Sequence, residues 1–360
     1  MTTLVATGNV PINMTTATLS NLPSASITIS TANQIRASWS STAWVDFYGS
    51  FTYPNGGIAG TLNRAIEVTG GVAAYDMSGI SIDAGTFLGW VNSGATTTAK
   101  RAIFGGNDII YGTRYTDSFE YWGGSDYIDG GGGGDVLKIS DGYTYNNTSP
   151  EMVALREGEF YRLITKGGEI VMKSVGSIYY NSFYATTLSS LIFDATAYSA
   201  ANRDLAVAFG TNTVAAARHY MNYGRAEGRS TSGFDPMQYL AANGDVQAAF
   251  GINAGSALSH WLTNGAREGR SASFNTLGYL ASNGDLLRAF GTNLSSAVQH
   301  YLAFGRGEGR TTTSFNGAAY LAANPDVARA GFTAANAASH YVYYGFREGR
   351  PLSRAALAAG

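Results

Sequence analysis

The sequence predicts a multidomain α+β fold: a β-rich N-terminal region continuing into a short roll of β-strands, then an α-helical array of four repeats of about forty residues. Three observations predict it. In residues 1–100, β-branched and aromatic residues fall in short runs between Gly- and Pro-containing turns. Between 103 and 138 an Asp recurs every nine residues, and after 190 a longer pattern returns four times. Changes of composition near 100 and 190 divide the chain into 1–100, 101–190 and 191–360.

The first segment holds four acidic and three basic residues. Ser26–Ser30 and Trp44–Tyr53 read as strands, with turns at Pro54-Asn55-Gly56-Gly57 and Thr69-Gly70-Gly71, and no long helix is expected. The second segment carries eleven acidic and seven basic residues, a local charge of −4, with further strands at Phe160–Thr165, Glu169–Met172 and Ser177–Tyr180.

Whole-chain composition excludes several classes. There are 23 Lys plus Arg against 25 Asp plus Glu and no Cys. That balance gives no basic face for nucleic acid, and the lack of Cys rules out disulfides and thiolate chemistry. No apolar run reaches the roughly 18 residues of a membrane span. The opening residues lack a basic n-region and an apolar h-region, so no cleaved signal peptide is expected.

Residues 103–138 divide into nines: IFGGNDIIY, GTRYTDSFE, YWGGSDYID, GGGGGDVLK. Asp108, Asp117, Asp126 and Asp135 occupy one register, and Ile110, Phe119, Ile128 and Leu137 follow two places later. Glycine pairs permit turns with positive φ or close backbone approach. The apolar residue starts a strand facing a thin core, and turn carbonyls with an Asp carboxylate are hard oxygen donors suited to Ca²⁺.

This block resembles the RTX (repeats-in-toxin, hemolysin-type calcium-binding) family, whose consensus is G-G-x-G-x-D-x-U-x with U apolar. The resemblance implies a calcium β-roll in which each nonapeptide is half a turn. Asp108 and Asp126 would then share one side, and Asp117 and Asp135 the other. Ligands would include carbonyls around Gly105, Asn107, Gly123, Ser125 and Gly132. The second copy departs from the pattern, with Thr113-Arg114-Tyr115-Thr116 where glycines are expected, so its side is the weaker site. The resemblance also implies one-step type I export to the cell exterior by an uncleaved C-terminal signal, with folding delayed until calcium is met.

The C-terminal segment has no Lys between 191 and 350, and its four His, at 219, 260, 300 and 340, are the only ones in the chain. Around them recur Phe193, Phe234, Phe274 and Phe315; Tyr198, Tyr239, Tyr279 and Tyr320; an Asn-x-Asp; and a terminal Glu-Gly-Arg. In the second copy, helices are expected over Pro236–Ala242, from an Asp245 cap to Gly251, and over Ser256–Thr263. Units of this length bury their apolar faces by stacking.

All four His occupy equivalent repeat positions, and no HExxH, G-x-S-x-G or P-loop is present, so the sequence does not read as an enzyme. A carboxylate-only site stays open, but the first hundred residues offer only Asp46, Glu67, Asp76 and Asp83 for it. A His row binding metal is weighed against capping and bridging roles for the repeated polar residues, and the absence of a His-x-x-x-His pair favours the latter. Two functions are expected. The first is a calcium-driven surface protein that assembles with itself as sheet or filament, in the manner of an S-layer or extracellular matrix. The alternative is an adhesin whose repeats, with thirteen Arg against ten acids in 191–360, contact polysaccharide or lipopolysaccharide.

Overall fold

The chain folds as a mixed α+β protein, with a large sheet in its N-terminal part and helices in its C-terminal part. In this computed structural model the described residues are 1–7, 10–17, 19–143, 151–180 and 184–357. They form two units. One comprises Met1–Ala195 and Ala217–Gly228; the other comprises Thr196–Ala216 and the chain from Arg229 onward.

The first unit opens with β1 (Thr3–Ala6), then β2 (Ser26–Ser30), β3 (Gln34–Ser40), β4 (Ala43–Thr52), β5 (Ala59–Thr69) and β6 (Val72–Asp83). Strands β2 to β6 form an antiparallel meander. Its β5–β6 turn needs glycine, because Gly70 and Gly71 both have positive φ, 64° and 79°. Asp83 caps α1 (Ala84–Ser93) by accepting from Thr86 N, and Gly94 ends it at φ 65°. With α2 (Thr96–Phe104) it covers one face of the meander, where Phe87, Trp90 and Ile103 pack on Ala37, Val45, Ala65, Ile80 and Ile82.

Four short strands follow: β7 (Ile109–Tyr111), β8 (Ser118–Tyr121), β9 (Gly124–Asp129) and β10 (Asp135–Ile139). They alternate between two sheets, and strands two apart pair in parallel eighteen residues out, Ile110 on Ile128 and Phe119 on Leu137. The four apolar residues of the nonapeptides meet between the sheets, each at most 2% exposed. A hairpin of β11 (Val153–Glu157) and β12 (Phe160–Ile164) then interrupts the coil. It resumes with β13 (Gly168–Lys173) on β9 and β14 (Val175–Tyr180) on β10, and β15 (Tyr184–Thr187) pairs antiparallel with β14.

The boundary expected near residue 100 is corrected by this topology. Strand β1 lies between β6 and β7, antiparallel to the first and parallel to the second, so one eleven-stranded sheet runs β11-β12-β13-β9-β7-β1-β6-β5-β4-β3-β2. The N-terminal strand supplies the layer that precedes the first nonapeptide.

In the second unit each later copy repeats one plan. Copy two has helices Pro236–Ala242, Gly244–Phe250 and Ala254–His260, the last running into a π-helical turn, Trp261–Gly265. Asp235 caps the first by accepting from Met237 N and Gln238 N. The expected Asp245 cap is corrected. Asn243 holds the cap position of the second helix, and Asp245 lies in its first turn with its carboxylate on Arg270. Copies stack through side chain to backbone bonds. Arg306 donates to Ala241 O at 2.6 Å and Gln247 Nε2 to Leu302 O at 2.7 Å.

Candidate metal centre

The nine-residue register becomes a ladder of buried carboxylates. Asp108 N donates to Asp126 Oδ1 at 2.9 Å, and Asp117 N to Asp135 Oδ1 at 2.7 Å. The N-terminal layer continues it downward: Thr2 N donates to Asp108 Oδ1 and Ile12 N to Asp117 Oδ1, both at 2.6 Å. Copies two apart therefore share a side, Asp108 with Asp126 and Asp117 with Asp135. At most 6% of any of the four residues is exposed.

Their second oxygens differ. Asp117 Oδ2 accepts from Thr113 N at 2.6 Å and Thr113 Oγ1 at 3.0 Å, so the residue that departs from the Gly pattern closes that carboxylate locally. Asp108 Oδ2 and Asp135 Oδ2 are buried and receive no hydrogen bond from any described residue. An orphaned carboxylate oxygen costs free energy until a proton or a cation satisfies it. Burial accordingly pushes Asp126 up to about 8 and Asp135 up to about 6, and raises Asp108 as well. Repulsion from Asp108 adds to the Asp126 shift and from Asp117 to that of Asp135, whereas backbone donors oppose both.

The other expected ligands lie at the two turns. Asn107 Oδ1 accepts from Ser125 N at 2.9 Å, and Gly105 and Gly123 are stacked, with Gly105 O 3.7 Å from where a Gly123 Cβ would stand. Gly132 lies over Arg114 on the opposite side. A cavity of about 280 Å³ is lined by Asn107, Asp108, Ser125, Asp126 and Glu169 among others. Among the described residues, no three His, Asp or Glu side chains converge as a metal cluster. The available donors are thus one or two carboxylates per side and turn carbonyls. That set is all hard oxygen, and it fits Ca²⁺ in kind better than a transition metal.

Glycine makes the stacking possible. A Cβ at Gly124, where φ is 93°, would lie 1.9 Å from Gly106 O, and at Gly168 one would lie 1.8 Å from Gly124 O. These three glycines form a column, so Gly167-Gly168 is a further Gly-Gly step of the coil that the spacing of nine did not reveal. Gly124→Ala is expected to lower the chemical-denaturation stability of this unit by about 3 kcal/mol or more, since backbone cannot yield as a side chain can. An unchanged midpoint would contradict the stacking.

The repeated polar residues of the second unit are engaged within their own copies. Tyr239 and His260 share a hydrogen bond of 2.7 Å through Nδ1, as do Tyr279 and His300 at 2.9 Å and Tyr320 and His340 at 2.8 Å. Arg270, Arg310 and Arg350 each bridge an Asp near the start of the second helix and the Glu two residues before the Arg; Arg229 holds Asp204. Asn243, Asn283 and Asn324 tie the first helix to the chain after the Arg through two carbonyls each.

No family model matches the chain, and no curated protein matches it. Among solved structures, it is similar to the extracellular lipase LipA from Serratia marcescens at 18% identity, with a TM-score of 0.12. The match covers 22% of this chain and 14% of the lipase. At that score the likeness carries no argument about fold or activity.

Proposed function

We propose that the chain is a secreted calcium-binding structural protein that assembles with itself at the bacterial cell surface, as an S-layer or extracellular matrix subunit. One observation carries the reading: Asp108 Oδ2 and Asp135 Oδ2 are buried in a carboxylate ladder with no donor among the described residues. Asp108 and Asp126, with carbonyls at Gly105, Asn107, Gly123 and Ser125, would hold one ion. Asp135, with Gly132, would hold a second more weakly, because Thr113 already occupies Asp117. Bound calcium would supply the positive charge that the ladder lacks, and stability would follow its concentration by mass action. The resemblance to RTX repeats supports export and a calcium-rich destination.

The adhesin reading has less behind it. The arginines of Glu-Gly-Arg that would meet an anionic glycan are held by carboxylates of their own copy. Size by light scattering and heat of binding, taken in EGTA and then in millimolar CaCl₂, test the proposal. The wild type should bind calcium and form large ordered assemblies, and Asp108→Ala/Asp126→Ala should lose the stronger of the two binding events and fail to assemble. A folded wild type that gives no heat with calcium overturns the metal site. One that binds calcium yet stays monomeric overturns the assembly role.

A further inference from the structure

Strand β2 reads Ser-Ile-Thr-Ile-Ser and ends the eleven-stranded sheet. A terminal strand presents unpaired N–H and C=O groups that attract another strand, and proteins normally blunt it. Two other edges of this unit are covered. Phe193 N bonds Ala154 O beside β11, and Ile12 to Met14 bond Ser118 on β8. For β2, β3 is the one strand that pairs with it among the described residues. No Lys, Arg, Asp or Glu occurs before Arg36, and that residue is neutralised by Asp46 at 2.7 Å. Ile27 is 61% exposed, and Ser26, Thr28 and Ser30 are exposed as well. A bulge at Thr28 against β3 and the five-residue length of the strand are what protect it.

The five residues are also a palindrome. Antiparallel pairing of two copies about Thr28 sets Ser26 against Ser30, Ile27 against Ile29, and Thr28 against itself. Antiparallel self-pairing is two-fold by construction, and in this register serine faces serine, isoleucine faces isoleucine and threonine faces threonine, so no apolar side chain is set against a polar one. The bulge then lies on the axis, and both strands bend alike.

We propose that β2 pairs edge to edge with β2 of a second copy about a dyad at Thr28, joining two sheets into one. This rests on the assembly reading and names the contact through which copies join. A five-residue strand offers only about five hydrogen bonds, so the contact is a weak link suited to a crowded surface array.

The test uses the full chain in millimolar CaCl₂, by sedimentation velocity over a concentration series. Thr28→Lys and Thr28→Glu each place two like charges opposite one another on the axis. Each alone should weaken association about tenfold or more, and an equimolar mixture should restore it by setting Lys against Glu. Circular dichroism like that of the wild type shows that both variants fold. A wild type that associates while both variants associate equally well removes the β2 contact and leaves the assembly reading standing. Variants that weaken association without recovery on mixing remove the dyad. A wild type that stays monomeric removes the assembly reading, and this contact with it.

Discussion

In EGTA at pH 8, Asp126→Asn should be more stable than the wild type, and in millimolar calcium the order should reverse. The Asp126 carboxyl is held near 8 in the folded chain, against about 4 for an ordinary Asp. Between those values the unfolded chain is ionised and the folded chain is protonated, so folding takes up a proton. Stability is therefore fully present below about pH 4 and is lost as pH rises through about 8. Each unit of pH costs about 1.4 kcal/mol per proton taken up, which sets a ceiling of about 5 kcal/mol for this group. Asp135 adds a smaller loss with the same sign, ending near 6. Asn keeps the oxygen that accepts from Asp108 N and has no proton to take up, so its curve should be flatter. With calcium present, the ionised wild-type carboxylate gains a partner that Asn cannot match. Urea unfolding followed by tryptophan fluorescence measures all of this, Trp122 being buried beside the coil. A calcium-free wild type with no loss of stability between pH 4.5 and 8 would falsify the account of the ladder.

Much of that ladder was legible in the sequence because a period of nine assigns each residue a place before any contact is known. Asp108 meets Asp126 and Asp117 meets Asp135 for the same reason that Ile110 lies on Ile128. The period of forty did the same for the helical copies, and it placed Pro236–Ala242 at its observed bounds. What escaped has no local signature. Thr2 donates to Asp108 across 106 positions, and nothing in Thr3–Ala6 marks it as the strand beside β7, since pairing at that distance is decided by which edge is free. The third glycine step, Gly167-Gly168, follows Gly123-Gly124 by 44 residues because the β11–β12 hairpin is inserted. Helix α1 was missed because Ala84–Ser93 holds two Gly and two aromatic residues among its ten, with β-branched Thr86 and Val91, none of them a strong helix former. It forms where the meander face needs cover.

The function of the repeated Tyr, His and Gly can be tested at one position. Tyr279 is fully buried, its hydroxyl bonds His300 Nδ1 at 2.9 Å, and its ring meets Tyr301 edge-on at 5.0 Å. A Cβ at Gly305 would stand 2.2 Å from that hydroxyl, and Gly265 and Gly345 have the same relation to Tyr239 and Tyr320. The π-helical turn Tyr301–Gly305 thus brings a glycine where only hydrogen fits. Gly305→Ala should cost about 3 kcal/mol, because the ring has neither space nor a free rotamer to retreat into. Tyr279→Phe alone should cost about 1 kcal/mol, the hydrogen bond with His300. Combining them should cost less than the sum, since removing the hydroxyl removes the obstacle. A Gly305→Ala protein with the wild-type unfolding midpoint would exclude this packing. If the cycle behaves as argued, His260, His300 and His340 are spoken for: the Nδ1 of each anchors a buried tyrosine of its own copy, and their periodicity is that of a stacked array. Those polar residues then serve the packing of their own copies, which leaves the proposed calcium site to the nonapeptide strands alone.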